Sequence, residues 1–188
     1  MSFFKRVLKK LRTKLGFISA FFIILFSAEE VPLNLFLSGL ILIILGEIIR
    51  VWASGHLKKT KEITCSGPYK YTRNPLYIGS FFILTGFLLM LQNWIIPIII
   101  LPLFMLIYPL TIKREESHLL EKFGESFQKY INSVPRIFPR ITPCEFCSDD
   151  RFDFKLMLRN REYQSILGEL GLMVIFWFGL GYKLRVFI

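Results

Sequence analysis

The chain keeps its charges and its oily residues apart. Leu33–Ala53 and Trp94–Ile112 are each long and apolar enough to cross a bilayer, a spanning helix needing about 20 mostly apolar residues. Leu76–Leu91 is a little short, Leu15–Ala28 is shorter still, and Ser165–Tyr182 makes a further candidate. The apolar share is 53%, with 20 phenylalanines, and the charged 20% of the chain falls between these blocks, as expected of a protein that meets two solvents. The expected fold is therefore all-α: a polytopic membrane helical bundle of about five membrane segments.

A net charge of +10 raises nucleic acid as a partner, but its placement points to lipid. Lys5, Arg6, Lys9, Lys10, Arg12 and Lys14 precede the first block, and Lys58, Lys59, Lys61, Lys70 and Arg73 lie between the second and third. With the N-terminus inside, the chain exits near Glu29 and Glu30, returns at the Lys58–Lys61 cluster, exits at Gln92 and Asn93, and returns at Lys113 and Arg114. Every strong basic cluster then faces the cytoplasm, next to anionic headgroups, at about 1 kcal/mol per charge. The N-terminus resembles a signal peptide, but Phe26 stands where cleavage after Ala28 would want a small residue, so a retained anchor is expected. Short turns at 29–32 and 92–93 predict antiparallel hairpins, and Pro97, Pro102 and Pro109 predict bends.

From Lys113 to Tyr130 the pattern changes. Glu116, Leu120, Phe123, Phe127 and Tyr130 recur at three- and four-residue steps, which predicts an amphipathic helix lying along the membrane or capping the bundle. "VPRIFPRITP" follows as a proline-punctuated crossing, and "CEFCSDD" as a loop. Cys144 and Cys147 are half of a zinc ligand set that nothing completes, so no metal is expected and the three cysteines are read as reduced thiols.

Ionisable residues inside apolar segments are functional hypotheses by default. Glu47 and Arg50 lie three apart, as a helix-terminal ion pair would; Glu169 has no obvious partner, and His56 reads as a surface imidazole. Glu116 continues the apolar stripe, so its carboxylate needs a partner, for which Lys113 and Arg114 are adjacent candidates. In "GPYKYTRNPLYIGS", Asn74 suits a helix cap and Pro75 a first turn, leaving free N–H groups beside Arg73 to favour an anion.

Two stretches, "SGPYKYTRNPLYIGSFFILTGF" and, after one membrane hairpin, "KREESHLLEKFGESFQKYINSVPRIFP", resemble the isoprenylcysteine carboxyl methyltransferase and phospholipid methyltransferase superfamily. The resemblance covers roughly 33–140, leaving 1–32 as a basic N-terminus with the first segment and 141–188 as a loop with a C-terminal membrane helix. It implies a cytoplasmic pocket for S-adenosylmethionine and a lipid or lipid-linked acceptor, carboxylate or amine, arriving from the bilayer. Carried over by motif, Gly67, Pro68, Tyr69, Arg73, Asn74, Pro75 and Tyr77 would line the cofactor side, completed by Glu115 and Glu116. Arg114 or Lys113 would hold a carboxylate acceptor, and Glu116 would assist an amine. Three positions depart from the family pattern. Asn74 replaces a histidine, Ile112 stands where the carboxyl-methylating branch has an arginine, and Phe127 replaces a tyrosine. A sterol-type membrane reductase using NADPH and a non-catalytic membrane scaffold are the alternatives from other classes.

Overall fold

The computed structural model describes residues 31–58, 62–91 and 95–186, with side chains of the last helix described as far as Val174. These residues form α1 (Leu33–Ser54), a 3-10 turn (Gly67–Lys70), α2 (Pro75–Met90), α3 (Ile95–Phe123), α4 (Glu125–Ser133), α5 (Phe154–Arg159) and α6 (Glu162–Val186), with no strand among them. The expected segment at Leu15–Ala28 lies outside the described residues. Of the described helices, α1 and α3 are long and apolar enough to cross a membrane, and α2 is a shorter apolar helix. Exposed Ile41, Ile44 and Ile48 on α1, and Ile98, Ile99 and Leu106 on α3, give these helices the apolar surface that lipid accepts.

The tightest packing joins α1 to α2. A Cβ added at Gly39 would lie 2.6 Å from the Gly86 carbonyl oxygen, and one at Gly46 would lie 2.6 Å from that of Gly79. The reverse pairs are as close, so backbone meets backbone at two levels of an antiparallel pair. Ile43, Ile83, Phe87, Leu88, Met90 and Leu91 fill the core beside these contacts. An aromatic series then ties α2 to α3: Phe81 to Phe104 at 5.6 Å and Tyr77 to Tyr108 at 4.9 Å, in the antiparallel sense expected.

Beyond the bilayer-length part, the structure differs from expectation. The fourth segment and the start of the amphipathic helix are one element: α3 runs through Pro102, Pro109 and the charged Lys113–Glu116 turn to Phe123. The break comes at Gly124, whose φ of 53° suits glycine and redirects the chain into α4. That break divides the predicted stripe, of which Glu116, Phe127 and Tyr130 are buried while Leu120 is exposed.

The cysteines also correct the reading. Cys65 is disulfide-bonded to Cys147, 82 residues apart in sequence, while Cys144 is free and buried. Sequence spacing held no sign of this because the partners come from two loops joined only by tertiary structure. The bond fastens the loop before the 3-10 turn to the crossing after α4, alongside hydrogen bonds from Arg140 N to Tyr71 O and Cys144 N to Lys70 O.

Candidate active site

The 3-10 turn and the start of α2 carry the first half of the site. Gly67 has a φ of +55°, and a Cβ there would fall 2.4 Å from the His56 ring, so both backbone and space require glycine. Pro68 and Tyr69 are buried, and the Tyr69 carbonyl accepts from the Tyr130 hydroxyl at 2.8 Å. Pro75 occupies the first turn of α2 as expected, and Asn74 occupies the cap position. The Asn74 side chain does not cap, however. Its amide donates instead to the Arg136 carbonyl at 2.9 Å.

The second half arrives from α3 and from the crossing after α4. Arg73 N donates to Pro135 O at 2.9 Å and Thr72 Oγ1 donates to Ile137 O at 3.0 Å, laying the crossing along the motif loop. Glu116 is thereby placed between two guanidiniums. Arg136 Nη2 donates to its Oε2 at 2.6 Å, and Arg73 Nη1 stands 3.2 Å from its Oε1. The sequence-level partners Lys113 and Arg114 instead project from the exposed side of the same helix, as does Glu115, which accepts from the Tyr77 hydroxyl at 2.9 Å. The structure therefore brings Arg73, Asn74, Tyr77, Glu115 and Glu116 together. Arg136, absent from the sequence-level set, joins them.

Several buried polar atoms of this region make no hydrogen bond among the described residues, although Arg73 Nη1 keeps its ion pair with Glu116. Arg73 Nε and Nη1 and the Tyr69 hydroxyl are buried without a hydrogen bond among the described residues. Burial pulls the Arg73 guanidinium below its ordinary value, against the opposing pull of Glu116, and the same cause pushes the Tyr69 phenol well up. Donors left bare in a low-dielectric site carry a desolvation penalty of about 1–3 kcal/mol each, which a ligand acceptor would relieve.

Residues 33–126 match the family model for phospholipid methyltransferase. This chain belongs to that family. It is similar to the nickel-cobalt-cadmium resistance protein NccN of Alcaligenes xylosoxydans xylosoxydans, with 30% identity over 55% of this chain and 49% of the relative. The cobalt-zinc-cadmium resistance protein CzcN of Cupriavidus metallidurans matches at the same identity and coverage. A protein-S-isoprenylcysteine O-methyltransferase of Schizosaccharomyces pombe is 29% identical over 45% of this chain and 36% of its own length. The chain thus spans about half the length of the first two relatives or less of the third. No solved structure matches.

This phospholipid methyltransferase family member also builds a polar network between α1, α2 and α6. Arg50 lies 3.8 Å from Glu47 and 2.6 Å from Glu162, and donates to Ser80 at 2.6 Å and Ser165 at 3.0 Å. The predicted Glu47–Arg50 pair is therefore one edge of a larger cluster, and Glu169, accepting from Ser165 at 3.3 Å, belongs to it. Glu47 and Glu169 are the ionisable lining of an otherwise apolar cavity of about 590 Å³ between α1 and α6. A second cavity of about 350 Å³ shares Trp52 and Phe152 with the first and touches His56, Gly67, Lys70 and Tyr71.

His56 is not a surface imidazole. It is buried, with Nδ1 3.0 Å from Ser66 Oγ, Gly67 packed against its ring and Phe152 edge-on. Burial lowers its pKa from the ordinary 6.5, with Asp150 opposing and Lys58 and Lys70 assisting. A neutral imidazole favoured by the fold binds its proton later than in the unfolded chain. Stability is therefore expected to be flat above about pH 7 and to fall as pH drops below about 6.5, levelling off under the folded pKa. Melting between about pH 5 and pH 8 checks this, and His56→Gln should flatten that part of the slope.

Proposed function

We propose that the chain transfers a methyl group from S-adenosylmethionine to a lipid or lipid-linked acceptor, carboxylate or amine, at the cytoplasmic membrane face. The observation that carries the reading is the buried Arg73 guanidinium with its unmet N–H groups, at the place where both halves of the family pattern converge. Arg73 and the start of α2 suit the donor's carboxylate, while Glu115 and Glu116 suit its ammonium or ribose hydroxyls. Gly67, Pro68, Tyr69, Asn74, Pro75 and Tyr77 form the wall that positions them. When bound, the donor supplies an electrophilic methyl on sulfonium.

For such an in-line displacement, positioning supplies much of the rate. Lys113 and Arg114, exposed beside the Glu116 turn, would hold an anionic acceptor. Glu116 would take the proton that an amine acceptor must lose. The apolar cavity beside α1 has the volume and lining for a hydrocarbon chain. The relatives carry names that speak of nickel, cobalt, zinc and cadmium resistance or of isoprenylcysteine O-methylation, and the family match supports methyl transfer without selecting the acceptor.

Binding to detergent-purified protein tests the reading. S-adenosylmethionine should bind the parent, reduced nicotinamide cofactor should not, and Arg73→Ala should weaken the donor by about tenfold or more, the worth of a charge-assisted hydrogen bond. Absence of donor binding to folded parent protein would overturn the methyltransferase reading.

A further inference from the structure

Arg73 and Arg136 compete for one carboxylate. Glu116 Oε2 accepts from Arg136 Nη2 at 2.6 Å and from its Nε at 3.1 Å, whereas Arg73 Nη1, at 3.2 Å from Oε1, is out of hydrogen-bond alignment. The Arg73 side chain is only 9% exposed and that of Arg136 is 45% exposed, so the buried cation is the one left with bare N–H groups. A buried guanidinium beside a carboxylate ordinarily takes it in a paired, charge-assisted geometry. Here the carboxylate is turned toward the other arginine.

The position of Arg136 is fixed by the motif loop itself. Asn74 Nδ2 donates to the Arg136 carbonyl at 2.9 Å, Thr72 Oγ1 reaches the same carbonyl at 3.3 Å, and Arg73 N holds the preceding Pro135 carbonyl. Asn74, one of the positions where the sequence departs from the pattern it resembles, is the residue that anchors Arg136.

We propose that Arg136 is a positioning residue, anchored by Asn74, that draws Glu116 off Arg73 and so keeps the Arg73 N–H groups open to a carboxylate of the ligand. Without it, Glu116 closes on Arg73 and occupies the place of the incoming carboxylate. The identity of that ligand rests on the methyl-donor reading; the competition between the arginines does not.

The test compares S-adenosylmethionine with its decarboxylated analogue. Arg136→Ala should weaken the first by about tenfold and change the second by less than about twofold, because only the first needs Arg73 open. Arg136→Lys should recover part of the loss. Asn74→Ala should act in the same direction, and the Asn74→Ala/Arg136→Ala double variant should be no weaker than Arg136→Ala alone. Equal loss of both donors would mean general damage and would overturn the proposal.

A ligand-free readout separates this proposal from the methyl-donor reading. The Glu116 carboxylate stretch, assigned by its disappearance in Glu116→Gln, should shift in Arg136→Ala as the carboxylate passes from Arg136 to Arg73, and Arg73→Ala on that background should move it again, to the position of a carboxylate with neither guanidinium. A band unmoved in Arg136→Ala overturns the proposal whatever the donors do; failure of both donors to bind the parent, with the band moving as described, sinks only the methyl-donor reading.

Discussion

Glu116→Ala is expected to abolish donor binding and to destabilise the fold by about 3–5 kcal/mol, the range for removing one partner of a buried ion pair. The two arginines do not share that loss equally. Arg136 is 45% exposed and can turn to water, while Arg73 is 9% exposed and cannot. The penalty therefore concentrates on Arg73, whose guanidinium burial already disfavours and whose charge Glu116 supports. Glu116→Gln, which keeps volume and two polar atoms, should fall between the parent and the alanine variant. Arg73→Met combined with Glu116→Ala removes the stranded charge and should regain most of the lost stability without regaining binding. Detergent unfolding midpoints, read beside equilibrium binding, check all three. If Glu116→Ala unfolds like the parent, Arg73 does not depend on that carboxylate and the site has been misassigned.

Two of the five expected segments, α1 and α3, are long and apolar enough to cross a membrane among the described residues, and they are legible in the sequence because lipid asks for length of apolar chain, which composition reports directly. Leu33–Ala53 and Leu76–Leu91 match α1 and α2 to within a residue at each end. The continuity of α3 is not legible, since the change from apolar to charged at Lys113 is no helix boundary: the helix runs on through it to Phe123. The site was read in part. Arg73, Asn74, Tyr77 and the glutamates stand out as charged or turn-forming residues beside helix ends, but Arg136 comes from a proline-rich crossing with no periodicity to place it. The burial of His56 and the Cys65–Cys147 link escaped for the same reason: both depend on which loops meet across the end of the bundle. Asn74 bridges to the Arg136 carbonyl and does not cap α2, a difference the sequence does not carry because a capping and a loop-bridging asparagine look identical until the partner carbonyl is located.

The glycines of α1 and α2 carry the second large effect. Gly46→Leu should separate the two helices and lower stability by about 3 kcal/mol or more, with Gly46→Ala smaller in the same direction. The sign for alanine is not obvious in advance, because alanine favours helix over glycine by about 1 kcal/mol in an exposed position. Packing decides it. The new Cβ would stand 2.6 Å from the Gly79 carbonyl oxygen and 2.7 Å from an Ile83 side-chain carbon, and the first of these is backbone that moves only if the whole helix moves. A Cβ added at the opposing Gly79 would lie 2.6 Å from the Gly46 carbonyl oxygen and 2.5 Å from Arg50 Cγ, so Gly79→Ala should resemble Gly46→Ala. Gly168, on α6, has open space around its Cβ position, and Gly168→Ala should be neutral or stabilising. The consequence reaches the site through α2. Arg50 on α1 donates to Ser80 on α2, Arg73 precedes α2 and Tyr77 lies in its first turn, so a displaced α2 moves the first half of the site against Glu115 and Glu116 on α3. Gly46→Leu should therefore weaken donor binding as well as lower the unfolding midpoint, whereas Gly168→Ala should change neither. A Gly46→Leu variant with parental stability would mean that α1 and α2 do not approach this closely, and the packing that positions the motif loop would have to be redrawn.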